Sequence, residues 1–272
     1  MNRLFVYGDS FSAKSGKLKS WTNIVANDLQ LALYNRSIAG SSAEYAFKQL
    51  IEDIQRNDLD HDIFIYVPSH PGRLHFEYQN DRPETASNFM HDPTLTLEGN
   101  FDWYWKNKDH IEWWLTNYDQ KLLELNHQAY IETLKVIALE NPTCTFAVIP
   151  AFENHFKWHS KLVPANFLYF NINLFEISWS EVDPKNEKFD YFDWIEHTKD
   201  DVRTNHLTLP NLKKLASIVS KSIANKNVSN ITYSDFEKSN ICKIQSKHQY
   251  LNYIEQGILE CNTAVLERLT DR

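Results

Sequence analysis

The stretch Asp62-Ile63-Phe64-Ile65-Tyr66-Val67 is nearly continuous in apolar residues. A strand with one wet face alternates apolar and polar, so an unbroken run predicts a strand covered on both sides, as in a parallel sheet between helical layers. Arg3 to Gly8, Leu31 to Asn35 and Thr143 to Pro150 carry similar short runs. Between the first three lie helical patterns: Ile24, Val25 and Leu29, then Tyr45, Phe47, Leu50, Ile51 and Ile54. Alternation of the two periods in this order predicts a β-α-β-wound sheet.

Further along, Ile111, Leu115, Tyr118, Leu122, Leu125 and Ala129 recur at three- and four-residue steps, which predicts a long helix from about residue 109, stopped by Pro142. Asn166 to Ile177 predicts a fifth strand with ill-defined limits. A last helix is expected from about Pro210 to Ala224, with Leu212, Leu215, Ile218, Val219 and Ile223 facing inward. These elements make residues 1–226 one α/β domain, with insertions at about 75–108 and 153–200. Residues 227–272 follow as a helical extension, in which Leu251, Ile254, Ile258, Cys261, Val265 and Leu269 are spaced like a short heptad stripe. Such a helix packs on the body of its own chain or forms a homo-oligomer with a second copy.

The 272 residues carry a formal net charge of −8. No basic field is present to offset phosphate repulsion, so no nucleic-acid partner is expected. No apolar run is long enough to cross a bilayer, so no membrane partner is expected either. Met1 to Ser10 lacks the longer apolar region and small-residue cleavage site of a secretory signal, which predicts a cytoplasmic chain. Three cysteines, Cys144, Cys242 and Cys261, show no metal-ligand spacing and fit reduced thiols. Aromatic residues make up 14%, with eight Trp, an unusual share; such rings serve cores and interfaces and also stack on sugars.

The chemistry gathers where strands end. Gly8-Asp9-Ser10 follows the first strand, and ligands of open α/β sheets bind at the carboxyl ends of strands. A serine hydroxyl there becomes a nucleophile only with a base in hydrogen-bond reach and donors for the oxyanion. Gly40 lies just before a helix start, where N–H groups have no helical partner. Asp200 to His206 precede the last helix.

Taken in order, these blocks resemble the SGNH/GDSL hydrolase superfamily, and the resemblance spans most of residues 3–224. It implies a three-layer α/β/α flavodoxin-like fold with a mostly parallel five-stranded sheet. It also implies that Ser10 is the nucleophile, His206 its general base, and the Ser10 and Gly40 amides two oxyanion donors. Two blocks depart from the pattern. Where the family has Gly-x-Asn-Asp after the third strand, this chain has Pro68-Ser69-His70-Pro71, which leaves Ser69 or His70 as the third donor; a lost donor costs about 3 kcal/mol of transition-state stabilisation. Arg203 occupies the family's aspartate position, so Asp201, or Asp200 behind it, is left to orient His206.

The function implied is hydrolysis of a carboxylic ester through an acyl-enzyme, with an O-acetyl group on a carbohydrate as the substrate class and no metal or organic cofactor. Trp103, Trp105 and Arg73 are expected to form a substrate-binding wall over Ser10. The alternative is a protein that keeps this fold as a glycan-binding or assembly module after losing its chemistry.

Overall fold

The structure, a computed structural model, describes residues 2–13, 20–38, 41–56, 58–71, 75–76, 84–85, 119–152, 163–180 and 207–237. In chain order its elements are β1 (Arg3–Gly8), α1 (Trp21–Asp28), β2 (Ala32–Asn35), α2 (Ala43–Arg56), β3 (Ile63–Val67), β4 (His75–Phe76), β5 (Glu84–Thr85), α3 (Gln120–Glu140), β6 (Thr145–Val148), β7 (Phe167–Tyr169), α4 (Leu174–Ser180) and α5 (Leu209–Asn225). A 3-10 turn follows at Tyr233–Asp235. β4 and β5 form an antiparallel pair of their own.

The main sheet has the order β2-β1-β3-β6-β7, and every pairing in it is parallel. The expected α/β class and five-stranded sheet are what the structure shows. Winding runs from β1 outward to β2, then crosses to the other side of β1 for β3, so the chain reverses direction between β1 and β3. In such sheets the crevice at the reversal is where ligands bind.

Alternation along the strands builds two cores. Leu4, Val6, Ile65, Val67, Ala147 and Ile149 point to the layer of α1 and α5, where they join Trp21, Val25, Leu215 and Val219. Phe5, Tyr7, Phe64, Tyr66, Phe146 and Val148 point to the other layer, against Ala46 and Leu50 of α2 and Ile131 and Leu134 of α3. On that second face, residues in register stack their rings across four strands. Tyr34 lies 5.0 Å from Phe5, Phe5 5.1 Å from Phe64, and Phe64 5.1 Å from Phe146, close to the spacing of the strands themselves.

Two details differ from the sequence expectations. β7 is only three residues long and is followed by α4 rather than by more strand. Both elements fall within 153–200, so that part of the expected insertion belongs to the sheet and its covering layer. α3 is described from Gln120, capped by Asp119, whose Oδ1 accepts from Lys121 N at 2.9 Å and Leu122 N at 3.2 Å; residues 109–118 of the expected helix lie outside the described residues. Its buried face is His127, Ile131, Leu134, Lys135 and Ala138, whereas Leu122, Leu125 and Ala129, which signalled the helix in sequence, are exposed.

After α5 the chain turns through Lys226 in the left-handed conformation (φ 48°) and stays on the body. Ile231 and Phe236 are buried in the first core, and Glu237 exchanges two 2.8 Å bonds with the Asn211 side chain. Residues 238–272, with the expected heptad stripe, lie outside the described residues. Among the described residues no helix is long and apolar enough to cross a membrane.

Candidate active site

Ser10 sits in the turn that leaves β1 at its carboxyl end and is 8% exposed. The turn is fixed from within: Ser12 N and Ala13 N donate to the Asp9 carbonyl at 3.1 and 2.9 Å, and Phe11 N donates to Asp9 Oδ1 at 3.0 Å. Gly8 is required by space. A Cβ there would lie 2.5 Å from Ser12 Oγ, 2.7 Å from Val67 Cβ and 2.8 Å from the Val67 carbonyl, so only a glycine lets β1 and β3 close up at this point.

The same closeness brings the two loops of the reversal together. Ser69 Oγ donates to Asp9 Oδ2 at 2.8 Å, and both side chains are buried. A charge-assisted bond of this kind, shielded from water, makes one rigid piece of the loops after β1 and β3.

The loop after β2 is tied to the same carbonyl that precedes the serine turn. Ile38 N and Ser41 Oγ both donate to the Gly8 carbonyl, at 3.0 and 2.9 Å. Asn35 Nδ2 donates to the Ser12 carbonyl at 2.7 Å, and Ser12 Oγ donates to Ser37 Oγ at 2.9 Å. From the outside, Arg36 reaches Asp53 of α2 with Nε at 3.1 Å and Nη2 at 3.3 Å, and Tyr7 donates its hydroxyl to the same carboxylate at 3.0 Å. Burial, reinforced by Asp53, holds the Tyr7 hydroxyl protonated, far above its ordinary range. Gly40 itself lies outside the described residues.

His70, half-buried, stands next to Ser69 at the end of β3. Its ring lies 5.8 Å from Phe152 and perpendicular to it. Phe152 also meets Phe11 edge-on at 5.4 Å and Phe175 of α4 at 5.3 Å. One phenyl ring after β6 thus buttresses the residue following Ser10 and the residue following Ser69. On α3, burial drives His127 down to about 4, with the charge of His70 adding to the effect, so His127 is neutral at pH 7.

Of the residues expected from sequence, Ser10, Ser69 and His70 are described: Ser10 in the turn after β1, Ser69 and His70 after β3, with the Asp9–Ser69 bond joining the two loops. Gly40, Arg73, Trp103, Trp105, Asp200, Asp201 and His206 lie outside the described residues. Just beyond them Leu207 is buried in the core cluster that holds Phe11, and Thr208 starts α5 beside α1. Phe152 was not among the sequence candidates. Its only signal was a position just past the fourth apolar run. Among the described residues no group of three His, Cys, Asp or Glu side chains is arranged to hold a metal ion.

No family model and no curated relative matches the chain. Solved structures are similar to it, among them two hydrolases. One is a lipase/acylhydrolase from Enterococcus faecalis, 13% identical, with 85% of this chain and 100% of that chain covered and a TM-score of 0.37. The other is the psychrotrophic esterase EstA from Pseudoalteromonas sp., 13% identical, with 83% and 96% covered and a TM-score of 0.34. Neither likeness carries weight for the chemistry.

Proposed function

We propose that the chain is a serine hydrolase of carboxylic esters, acting through Ser10. One observation carries this reading: the Ser10 turn stands at the reversal of a five-stranded parallel sheet, locked to the end of β3 by the Asp9–Ser69 bond. That is a rigid, nearly buried hydroxyl at the crevice where such folds bind ligands.

In the proposed reaction, Ser10 Oγ attacks the ester carbonyl carbon while His206 takes its proton, with Asp201 or Asp200 orienting the imidazole. The tetrahedral oxyanion lies against the Ser10 and Gly40 amides. Collapse breaks the bond to the alcohol, which leaves with the proton from His206, and the acyl group stays on Ser10. Water attacks in a second cycle, His206 again passing the proton, and the carboxylic acid departs. For the third donor, Ser69 is the poorer choice, because its single proton is directed at Asp9; the His70 N–H is the better one. Arg73, Trp103 and Trp105 are proposed to contact a carbohydrate alcohol half, which makes sugar O-acetyl groups the favoured substrates.

The decisive experiment is hydrolysis of p-nitrophenyl acetate by wild type and Ser10→Ala, with a serine-reactive phosphonate to trap the nucleophile. Loss of turnover in the variant, with label on Ser10 of the wild type, supports the reading. An unreactive Ser10 in a protein that binds acetylated sugars supports the binding-module alternative, which the missing asparagine in Pro68 to Pro71 and the commitment of Ser69 to Asp9 both favour.

A further inference from the structure

Phe152 stands just past β6 on backbone that is fixed from both sides. The β3–β6 ladder runs on beyond the two strands: Ile149 N donates to the Tyr66 carbonyl and Ala151 N to the Pro68 carbonyl, each at 3.0 Å. From the other side the first turn of α4 bonds back, Leu174 N to the Pro150 carbonyl at 3.0 Å and Phe175 N to the Ala151 carbonyl at 2.8 Å. The half-buried ring that leaves this backbone meets Phe11 edge-on at 5.4 Å and lies 5.3 Å from Phe175. Its place is therefore set by three strand ends and a helix.

At His70 the backbone is constrained as well. Ser69 before it is bonded to Asp9, and Pro71 after it disfavours a helical conformation at His70. These constraints leave rotation of the imidazole about its own side-chain bonds. The Phe152 ring, perpendicular to the imidazole and 5.8 Å from it, stands against that rotation, in the range where aromatic rings attract edge to face.

We propose that Phe152 is a positioning residue, which fixes the His70 imidazole so that its N–H points at the oxyanion formed on Ser10. This rests on the reading of Ser10 as nucleophile and His70 as third donor, and deepens it. An oxyanion donor is effective when it is aimed before the charge develops, because no reorganisation is then needed during the reaction. The loss of such aim is felt in the transition state and not in the bound substrate, so the role shows in kcat rather than KM.

The test is a double-substitution cycle on p-nitrophenyl acetate hydrolysis with Phe152→Leu, His70→Ala and the pair, each checked for folding by circular dichroism; Phe152→Met replaces Phe152→Leu should the latter unfold. Phe152→Leu is expected to lower kcat roughly tenfold and to leave KM within about twofold, since a misplaced catalytic group can cost up to about a hundredfold. In the His70→Ala background the same substitution is expected to change kcat by less than about twofold, because a residue that acts through His70 has nothing left to act on. A second readout needs no catalysis: the ring C–H resonances of His70, assigned by their loss in His70→Ala, are expected to shift in the NMR spectrum of Phe152→Leu. Equal losses of kcat in both backgrounds, or an unchanged kcat beside an active wild type, overturn the positioning role and leave Ser10 as the nucleophile. Unmoved His70 resonances overturn it whatever the protein hydrolyses. A wild type without esterase activity, or a Ser10→Ala variant as active as the wild type, overturns the underlying reading and this role with it.

Discussion

The Ser69 hydroxyl donates to the Asp9 carboxylate across 2.8 Å, between two side chains that are 3% and 0% exposed. One residue follows β3 and the other follows β1, so this bond joins the two lips of the crevice at which the sheet reverses. Ser69→Ala would leave a buried carboxylate short of one donor, and is expected to cost about 1–3 kcal/mol of stability. Urea unfolding of the variant measures it. A change below about 0.5 kcal/mol would show that the crevice does not depend on this bond.

Gly8 is the second place where the crevice has no room. Gly8→Ala puts a methyl group within 2.8 Å of the Val67 backbone carbonyl, which cannot rotate aside. Overpacking of this kind costs roughly 1–3 kcal/mol. The expected result is a lowered thermal midpoint together with faster labelling of buried groups at the β1/β3 ends; an unchanged midpoint would mean the strands move apart without penalty.

His127 gives the fold a specific acid sensitivity. In an unfolded chain an imidazole binds its proton near pH 6.5, but burial and the neighbouring His70 delay this in the fold to about 4. Between those values the unfolded state holds more protons, so stability is intact above pH 6.5 and is lost as pH falls towards 4. The loss from this group reaches about 3 kcal/mol. His127→Leu should flatten the stability profile of the protein between pH 6.5 and 4, read from urea midpoints at successive pH values. Parallel profiles for variant and wild type would remove His127 from the account.

If His70 supplies the third oxyanion donor, His70→Ala should lower kcat for ester hydrolysis by about 10²–10³ with little change in KM. His70→Asn, which restores a side-chain N–H at that position, should recover most of the loss. Steady-state kinetics on a small acetyl ester decides it, and equal rates for wild type and His70→Ala would assign the third donor elsewhere.

The strands and their direction were legible because burial on both faces leaves a direct mark. Ile63 to Val67 and Thr145 to Val148 have no polar alternation, and only a covered parallel sheet tolerates that. Gly8-Asp9-Ser10 was legible too, since a glycine after a short apolar run announces a strand end. α3 shows the limit of periodicity. Its 3-4 spacing fixed a helix, yet Leu122 and Leu125 are exposed and His127, Leu134 and Lys135 are buried, because a helix apolar on more than one side does not declare which side meets its partner.

By itself, then, the sequence determined the class of fold, the strand that carries Ser10 and the histidine and serine at the end of β3. Those are consequences of local pattern, where each residue's neighbours in the chain are enough. Only tertiary structure decided that Ser69 bonds Asp9 rather than standing ready as a donor, that Phe152 braces both Phe11 and His70, and that the loop after β2 hangs from the Gly8 carbonyl. Each of these joins groups from different strands, and whether a hydroxyl proton or a ring edge finds its partner depends on distances of a few tenths of an ångström that strand pairing sets and chain order does not record.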